Sequence, residues 1–194
     1  MQCVTVFCGS SEGNDPLILD LASQLGTCLA ANNITLVYGA AKIGVMAAVA
    51  QSCLDKEGRV IGVIPRFLTA KEVVHLGLTK LEVVETMHER KARMNDLADG
   101  FIVLPGGFGT MEEFFEVLTW AQLGLHLKPI ALLNVNHFFD SLFDFLQNMV
   151  DKSLLKEENL KLIISDSDPE KLLDKMRNYE APAVPKWLPG KQFT

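Results

Sequence analysis

The sequence predicts a single-domain α/β fold, doubly wound about a mainly parallel sheet of about seven strands with helices on both faces. Three observations carry that prediction. Short β-branched or apolar runs alternate with segments of helical periodicity along the chain. Runs such as FIVL, residues 101–104, are apolar on both sides of the pleat, as a parallel strand covered from both faces requires. The 194 residues, 48% of them hydrophobic, suffice for one core and are too few for two independent ones. The result is a Rossmann-like domain over residues 1–180, followed by a proline-rich tail at 181–194.

In chain order the strands are expected at VTVF (4–7), TLVY (35–38), RVIGVI (59–64), LEVVE (81–85), FIVL (101–104), PIALLN (129–134) and LIIS (162–165). After the first, Asp15 and Pro16 form an N-cap and first-turn pair, and Leu17, Leu21, Leu25 and Leu29 then recur at every fourth position, a helical stripe meant for the sheet. The stretch Pro65–Thr79 breaks the rhythm as a long connection of the kind that borders ligand sites in open α/β sheets.

Charge and cysteine content exclude several functions. With 18 basic against 24 acidic residues, a net charge of −6 and no basic cluster on the scale of a groove, no nucleic-acid partner is expected. Neither a signal peptide nor an apolar run of about 18 residues is present, so no membrane partner is expected and a cytoplasmic location is. Cys3, Cys8, Cys28 and Cys53 lack metal-ligand spacing and read as reduced, structural thiols; neither a metal nor a cofactor is expected.

The chemistry concentrates after FIVL. Gly106, Gly107 and Gly109 turn the chain into a helix expected from about Thr110 to Gly124. Glycines let a phosphate approach the backbone, and the unpaired amides of a helix start attract it; Thr110 adds a hydroxyl donor or a cap. Neither the P-loop nor the dinucleotide fingerprint fits, so a single phosphate is the better ligand. The plainer alternative is a glycine turn whose Glu112 and Glu113 only complement the helix dipole. Just upstream, Arg90, Lys91 and Arg93 lie beside His88 and Glu89. Arg90 and Met94 share a helical face from which Arg93 is turned away, so the cations need not serve one ligand, and a solvated face is the plainer reading. Two more strands end in small residues, at Cys8, Gly9, Ser10 and Ser11 and at Gly39, Ala40 and Ala41. The three ends are candidates for one crevice.

These residues resemble a known family. PGGFGTMEE at 105–113 is similar to the PGGxGTxxE motif of the LONELY GUY proteins, cytokinin riboside 5'-monophosphate phosphoribohydrolases once misnamed lysine decarboxylases. The likeness extends through VFCGSS (6–11), GNDP (13–16), VYG and IGVM (37–46), MHERKARM (87–94) and LTWAQLGLHLKPIALLN (118–134). It implies hydrolysis of the N-glycosidic bond of a nucleoside 5'-monophosphate, preferably with an N6-substituted adenine and in several members AMP. By motif match it implies Arg90 and Glu113 as the catalytic pair. It also implies Glu72, Lys91, Gly106, Gly107, Gly109, Thr110 and Thr119 as substrate-binding, with Glu112 ranked below Glu113. A homodimer or larger homo-oligomer is expected on the same ground, with the apolar helix around Phe114, Phe115, Leu118 and Trp120 as its surface or else as core. One departure stands out: the family often reads YGGGxxGLMG, whereas Ala40, Ala41 and Ala47 stand here. Alanine resists positive φ by about 1–2 kcal/mol, so the loop is expected to sit differently.

The main rival is a non-catalytic nucleotide or molybdenum-cofactor carrier of the same fold. The pairing of Arg90 with Glu113 favours the enzyme. A DNA-processing module lacks its basic groove, and lysine decarboxylation lacks a convincing Schiff-base lysine.

Overall fold

The computed structural model describes residues 1–69 and 74–182. Its strands are β1 (Cys3–Phe7), β2 (Thr35–Tyr38), β3 (Val60–Pro65), β4 (Lys80–Val84), β5 (Gly100–Val103), β6 (Ile130–Leu133) and β7 (Ile163–Asp166). They form one seven-stranded sheet in the order β4-β3-β2-β1-β5-β6-β7, and every pairing is parallel. The helices are α1 (Pro16–Ala31), α2 (Gly44–Asp55), α3 (Met87–Leu97), α4 (Phe108–Gln122), α5 (Asp140–Asp151), α6 (Glu157–Leu160) and α7 (Pro169–Arg177).

Alternate strand residues feed two cores. Val4, Val6, Leu36, Tyr38 and Ile102 pack with α1, α2 and α7, whereas Phe7, Val37, Val63, Phe101 and Val103 pack with α3 and α4. This two-sided burial is why the strands read as continuous apolar runs. The leucine stripe of α1 enters the core from its second turn on: Leu25 and Leu29 are buried, but Leu17 is half exposed. Asp15 caps the helix as its sequence predicts, its Oδ1 accepting from the Leu17 N–H at 3.0 Å.

The chain builds outward from β1 through β4 and then returns to lay β5 on the other side of β1. The loops leaving the C-terminal ends of β1 and β5 therefore diverge to opposite faces, and the crevice between them is where open α/β sheets hold ligands. The long connection after β3 is tied to this end of the sheet. Val74 pairs with Ala41 in an antiparallel bridge, and the His75 N–H donates to Ala40 O at 2.9 Å. Residues 70–73 lie outside the described residues, as does the expected tail from residue 183 onward.

Candidate functional site

Three strand ends meet above the sheet. The Gly9 N–H donates to Pro105 O at 3.1 Å, joining the β1 loop to the glycine loop, and the Met46 N–H donates to Gly9 O at 3.2 Å, joining the start of α2 to both. Between them and α3 lies a crevice of about 360 Å3. Its wall holds Ser10, Gly39, Gly107, Gly109, Thr110, Glu112, Arg90 and Glu113, so eight of the residues singled out from the sequence come together. Three do not: Gly106, Lys91 and Thr119 are absent from that wall. Glu72 falls outside the described residues.

Helix α4 starts at Phe108, two residues before its expected start. Thr110 is therefore not a cap but a buried residue of the first turn, 4% exposed, packed over Gly106. Gly107 occupies the cap position and offers no side-chain acceptor, unlike Asp15, Thr86 and Asp168 at the starts of α1, α3 and α7. The first amides of α4 consequently keep their donors free of side-chain acceptors.

The glycines of the loop divide into two kinds. A Cβ at Gly106 would come within 2.7 Å of Thr110 Cβ and 2.8 Å of Gly9 N, so that glycine seals the seam between β1 and β5. A Cβ at Gly107 or Gly109 would meet nothing within 4 Å. Gly107 has an ordinary φ of −93°, and Gly109 is not among the residues of positive φ. Neither the backbone nor any neighbour among the described residues demands glycine at either position, and both residues line the crevice.

Arg90 and Glu113 face each other across this space, Nη2 to Oε1 at 3.8 Å, with side chains 11% and 13% exposed. Gly39 makes the arrangement possible, since a Cβ there would strike the Arg90 guanidinium. Among the described residues the guanidinium is poorly satisfied: Nη1 approaches Met87 Sδ at 3.6 Å and Nε has no partner. A buried cation with spare donors is arranged for an anionic or oxygen-rich ligand. Burial pushes the Glu113 carboxyl up to about 7, against the pull of Arg90; Glu112 and Glu116 push the same way and Lys91 opposes them.

The three neighbouring cations of α3 do separate. Arg93 leaves for β4 and binds Glu82 at 2.7 Å, Lys91 binds Glu112 and Glu116 on α4, and only Arg90 enters the crevice. Thr119 turns its hydroxyl back onto Phe115 O at 2.6 Å. The second loop accommodates its alanines: Ala40 takes a φ of +67° while fully buried, its methyl filling the space above Gly62 in β3.

Sequence reasoning gave no role to the thioethers of Met46, Met87 and Met94, which line the apolar side of the crevice. Met46 and Met94 stand at helical core positions and gave no separate signal, and an adaptable apolar wall is well suited to a flat aromatic group. Cys8 forms part of the floor; burial and then the nearby Glu113 raise its thiol far above the usual range, so it is no nucleophile. Among the described residues, no group of three or more His, Cys, Asp or Glu side chains could hold a metal ion.

Comparison with known proteins gives the chain's family and its fold. The family described as "Possible lysine decarboxylase" matches residues 46–176. A cytokinin riboside 5'-monophosphate phosphoribohydrolase of Arabidopsis thaliana is 43% identical over 183 residues, covering 94% of this chain and 84% of that protein. A protein of the same name from Rhodococcoides fascians is 44% identical over 178 residues, covering 91% and 90%. Among solved structures, the molybdenum cofactor binding protein of Rippkaea orientalis superposes with a TM-score of 0.69 at 24% identity over 91% of this chain and 96% of that one. A Chlamydomonas reinhardtii Moco carrier protein superposes with a TM-score of 0.68 at 18% identity, covering 91% and 96%. These two likenesses show a shared fold.

Proposed function

The chain belongs to the LONELY GUY family of cytokinin riboside 5'-monophosphate phosphoribohydrolases, and we propose that it hydrolyses the N-glycosidic bond of adenosine 5'-monophosphates, N6-substituted ones included, in the crevice between β1 and β5. Water adds across the bond: C1' gains the hydroxyl, the base leaves with a proton, and the products are free base and ribose 5-phosphate. The observation that carries this reading is the buried Arg90, with its spare donors, facing Glu113 at 3.8 Å in a crevice whose wall includes Gly107 and Gly109.

In this reading the 5'-phosphate sits on the open amides of α4, against Gly107, Gly109 and Thr110, with Ser10 on the opposite lip and Gly106 and Gly39 keeping the backbone thin. Arg90 spends its spare donors on the ribose phosphate and orients it; as a permanent cation it donates no proton. Ionised Glu113 stabilises the oxocarbenium character at C1' and aligns the water. Its raised pKa means that the carboxylate is formed at neutral pH only in part, so activity rises with pH through about 7. The methionine wall receives the base. Glu72, by family match, completes the substrate contacts. The protein acts in the cytoplasm as a homodimer or larger homo-oligomer, for which the part-exposed Phe115, Leu118 and Trp120 of α4 offer a surface. No described helix is long and apolar enough to cross a membrane.

Lysine decarboxylation, the activity in the family description, gains no support. Its cofactor is held through a lysine Schiff base, and no lysine lines the crevice among the described residues.

The test is chromatographic. Pure protein is incubated with AMP, with isopentenyladenosine 5'-monophosphate and with the two unphosphorylated nucleosides. Base release from the monophosphates alone is expected. Nucleotide binding without release would instead favour a carrier.

A further inference from the structure

Lys91 is among the most enclosed charged side chains described, 10% exposed, and its ammonium is shared between Glu112 Oε1 at 2.6 Å and Glu116 Oε1 at 2.8 Å. Both acceptors belong to α4, while Lys91 belongs to α3. The two helices make little close backbone approach, so side chains must set their relation. On its other flank α3 is already pinned. Arg93 grips Glu82 of β4 through Nε at 2.7 Å and Nη2 at 3.2 Å. At its start, Thr86 Oγ1 caps the helix by accepting from the Glu89 N–H at 3.1 Å, and Glu89 Oε2 reaches back past the cap to accept from the Glu85 N–H at 2.9 Å. With α3 fixed there, the Lys91 bridge governs where the first turns of α4, which carry the open amides and Glu113, stand relative to Arg90.

The same bridge is electrostatic. Among the described residues, the groups that face Glu113 are Arg90 and Lys91 from α3, Glu112 and Glu116 from α4, and Cys8 from the end of β1. The two flanking carboxylates oppose its ionisation, and a cation seated between them cancels much of that opposition.

We propose that Lys91 is a positioning residue: by bridging Glu112 and Glu116 it holds the start of α4 against α3 and shields Glu113 from both carboxylates, without contacting substrate. The inference rests on the hydrolase reading above and gives Lys91 a different task from the substrate contact implied by family resemblance.

The experiment compares wild type with Lys91→Met, which keeps length and removes charge, Lys91→Arg, which keeps charge, and Lys91→Met/Glu116→Gln. Steady-state hydrolysis of AMP is followed across about pH 5 to 9, and the ionisation of Glu113 is read separately from its carboxyl 13C shift in the free protein. Lys91→Met is expected to lose about tenfold in kcat at neutral pH with KM for AMP within about twofold, while the Glu113 midpoint moves up by about one pH unit. Lys91→Arg should keep most of the activity, and adding Glu116→Gln to Lys91→Met should bring the midpoint back towards wild type and recover part of kcat. A KM raised about tenfold or more at unchanged kcat, with the carboxyl titration unmoved, would assign Lys91 to substrate and overturn the proposal. Unchanged kinetics and titration would overturn it too. If Lys91→Met does not fold, Lys91→Gln decides by the same two readings: an upward shift of the Glu113 midpoint with KM unchanged upholds the shielding, and a raised KM with the titration unmoved overturns it. Absence of base release by wild type would refute the hydrolase reading alone, since the carboxyl titration still tests the shielding.

Discussion

Replacing Gly109 by alanine separates what the fold needs from what the ligand needs. Gly109 is the second residue of α4, and a Cβ built on it meets no atom within 4 Å, so the methyl enters without collision. Alanine is preferred to glycine within a helix by about 0.5–1 kcal/mol, because glycine has more backbone freedom to lose on folding. The variant should therefore be more stable by up to about that amount, read as a higher urea midpoint at unchanged slope. Gly109 nevertheless lines the crevice, and in the proposed binding mode a methyl there crowds the approach of a phosphate oxygen to the open amides. Loss of one such charge-assisted bond costs about 1.5–3 kcal/mol, so kcat/KM for AMP should fall by about ten- to a hundredfold. A more stable variant with undiminished kcat/KM would refute the argument that the space belongs to the phosphate; a less stable one would refute the helix assignment on which it depends.

Gly106→Ala should behave oppositely, losing stability by about 1–3 kcal/mol in thermal unfolding, because its methyl would press on Thr110 and on the Gly9 amide. Glu113→Gln should abolish turnover by at least about a hundredfold while AMP binding, measured by calorimetry, persists. The same substitution reports on pH. The Glu113 carboxyl is held at about 7 rather than its ordinary 4.5, so the stability associated with its protonated form is complete below 4.5 and lost as pH rises through 7. Gln should accordingly gain on wild type by about 3 kcal/mol between pH 4.5 and 8 in urea unfolding, and a difference independent of pH would contradict the burial effect. Arg90→Lys should not rescue activity, since an ammonium cannot reproduce a guanidinium's spread of donors; kcat/KM near wild type would count against an orienting role.

Much of the fold was legible because each layer repeats one physical demand. A parallel strand covered on both faces must be apolar throughout, as FIVL is, and all seven of the β-branched or apolar runs became strands, displaced by a residue or so at their ends. The start of α4 was misjudged because glycine argues against helix, yet Phe108 and Gly109 join the first turn with no tertiary neighbour objecting. The convergence of the three strand ends followed from topology, but the meeting of Arg90 with Glu113 was anticipated only through resemblance, since no periodicity links two separate helices. The division of the α3 cations was half visible: helical geometry set Arg93 to one side of the face shared by Arg90 and Met94, but its partner Glu82 and the Lys91 pair depend on how α3 lies over β4 and α4. The work of Gly39 was hidden for the same reason, because its empty space is filled by an arginine distant in sequence.

The contact between Ala40 and Gly62 sets an order on how this crevice can change over generations. A side chain at 62 would bring its Cβ within 2.6 Å of the Ala40 methyl, and Ala40 holds a left-handed backbone that glycine adopts without strain. Exchange of Ala40 for glycine first relieves the backbone and removes one of the two close side-chain contacts, after which only the flexible end of Leu78, 2.5 Å from a Cβ at 62, has to move aside for a methyl there. The reverse order passes through a form that carries both the strain and the clash. The two positions therefore form an epistatic pair, so that lineages holding alanine at 40 are confined to glycine at 62 until the loop itself has mutated.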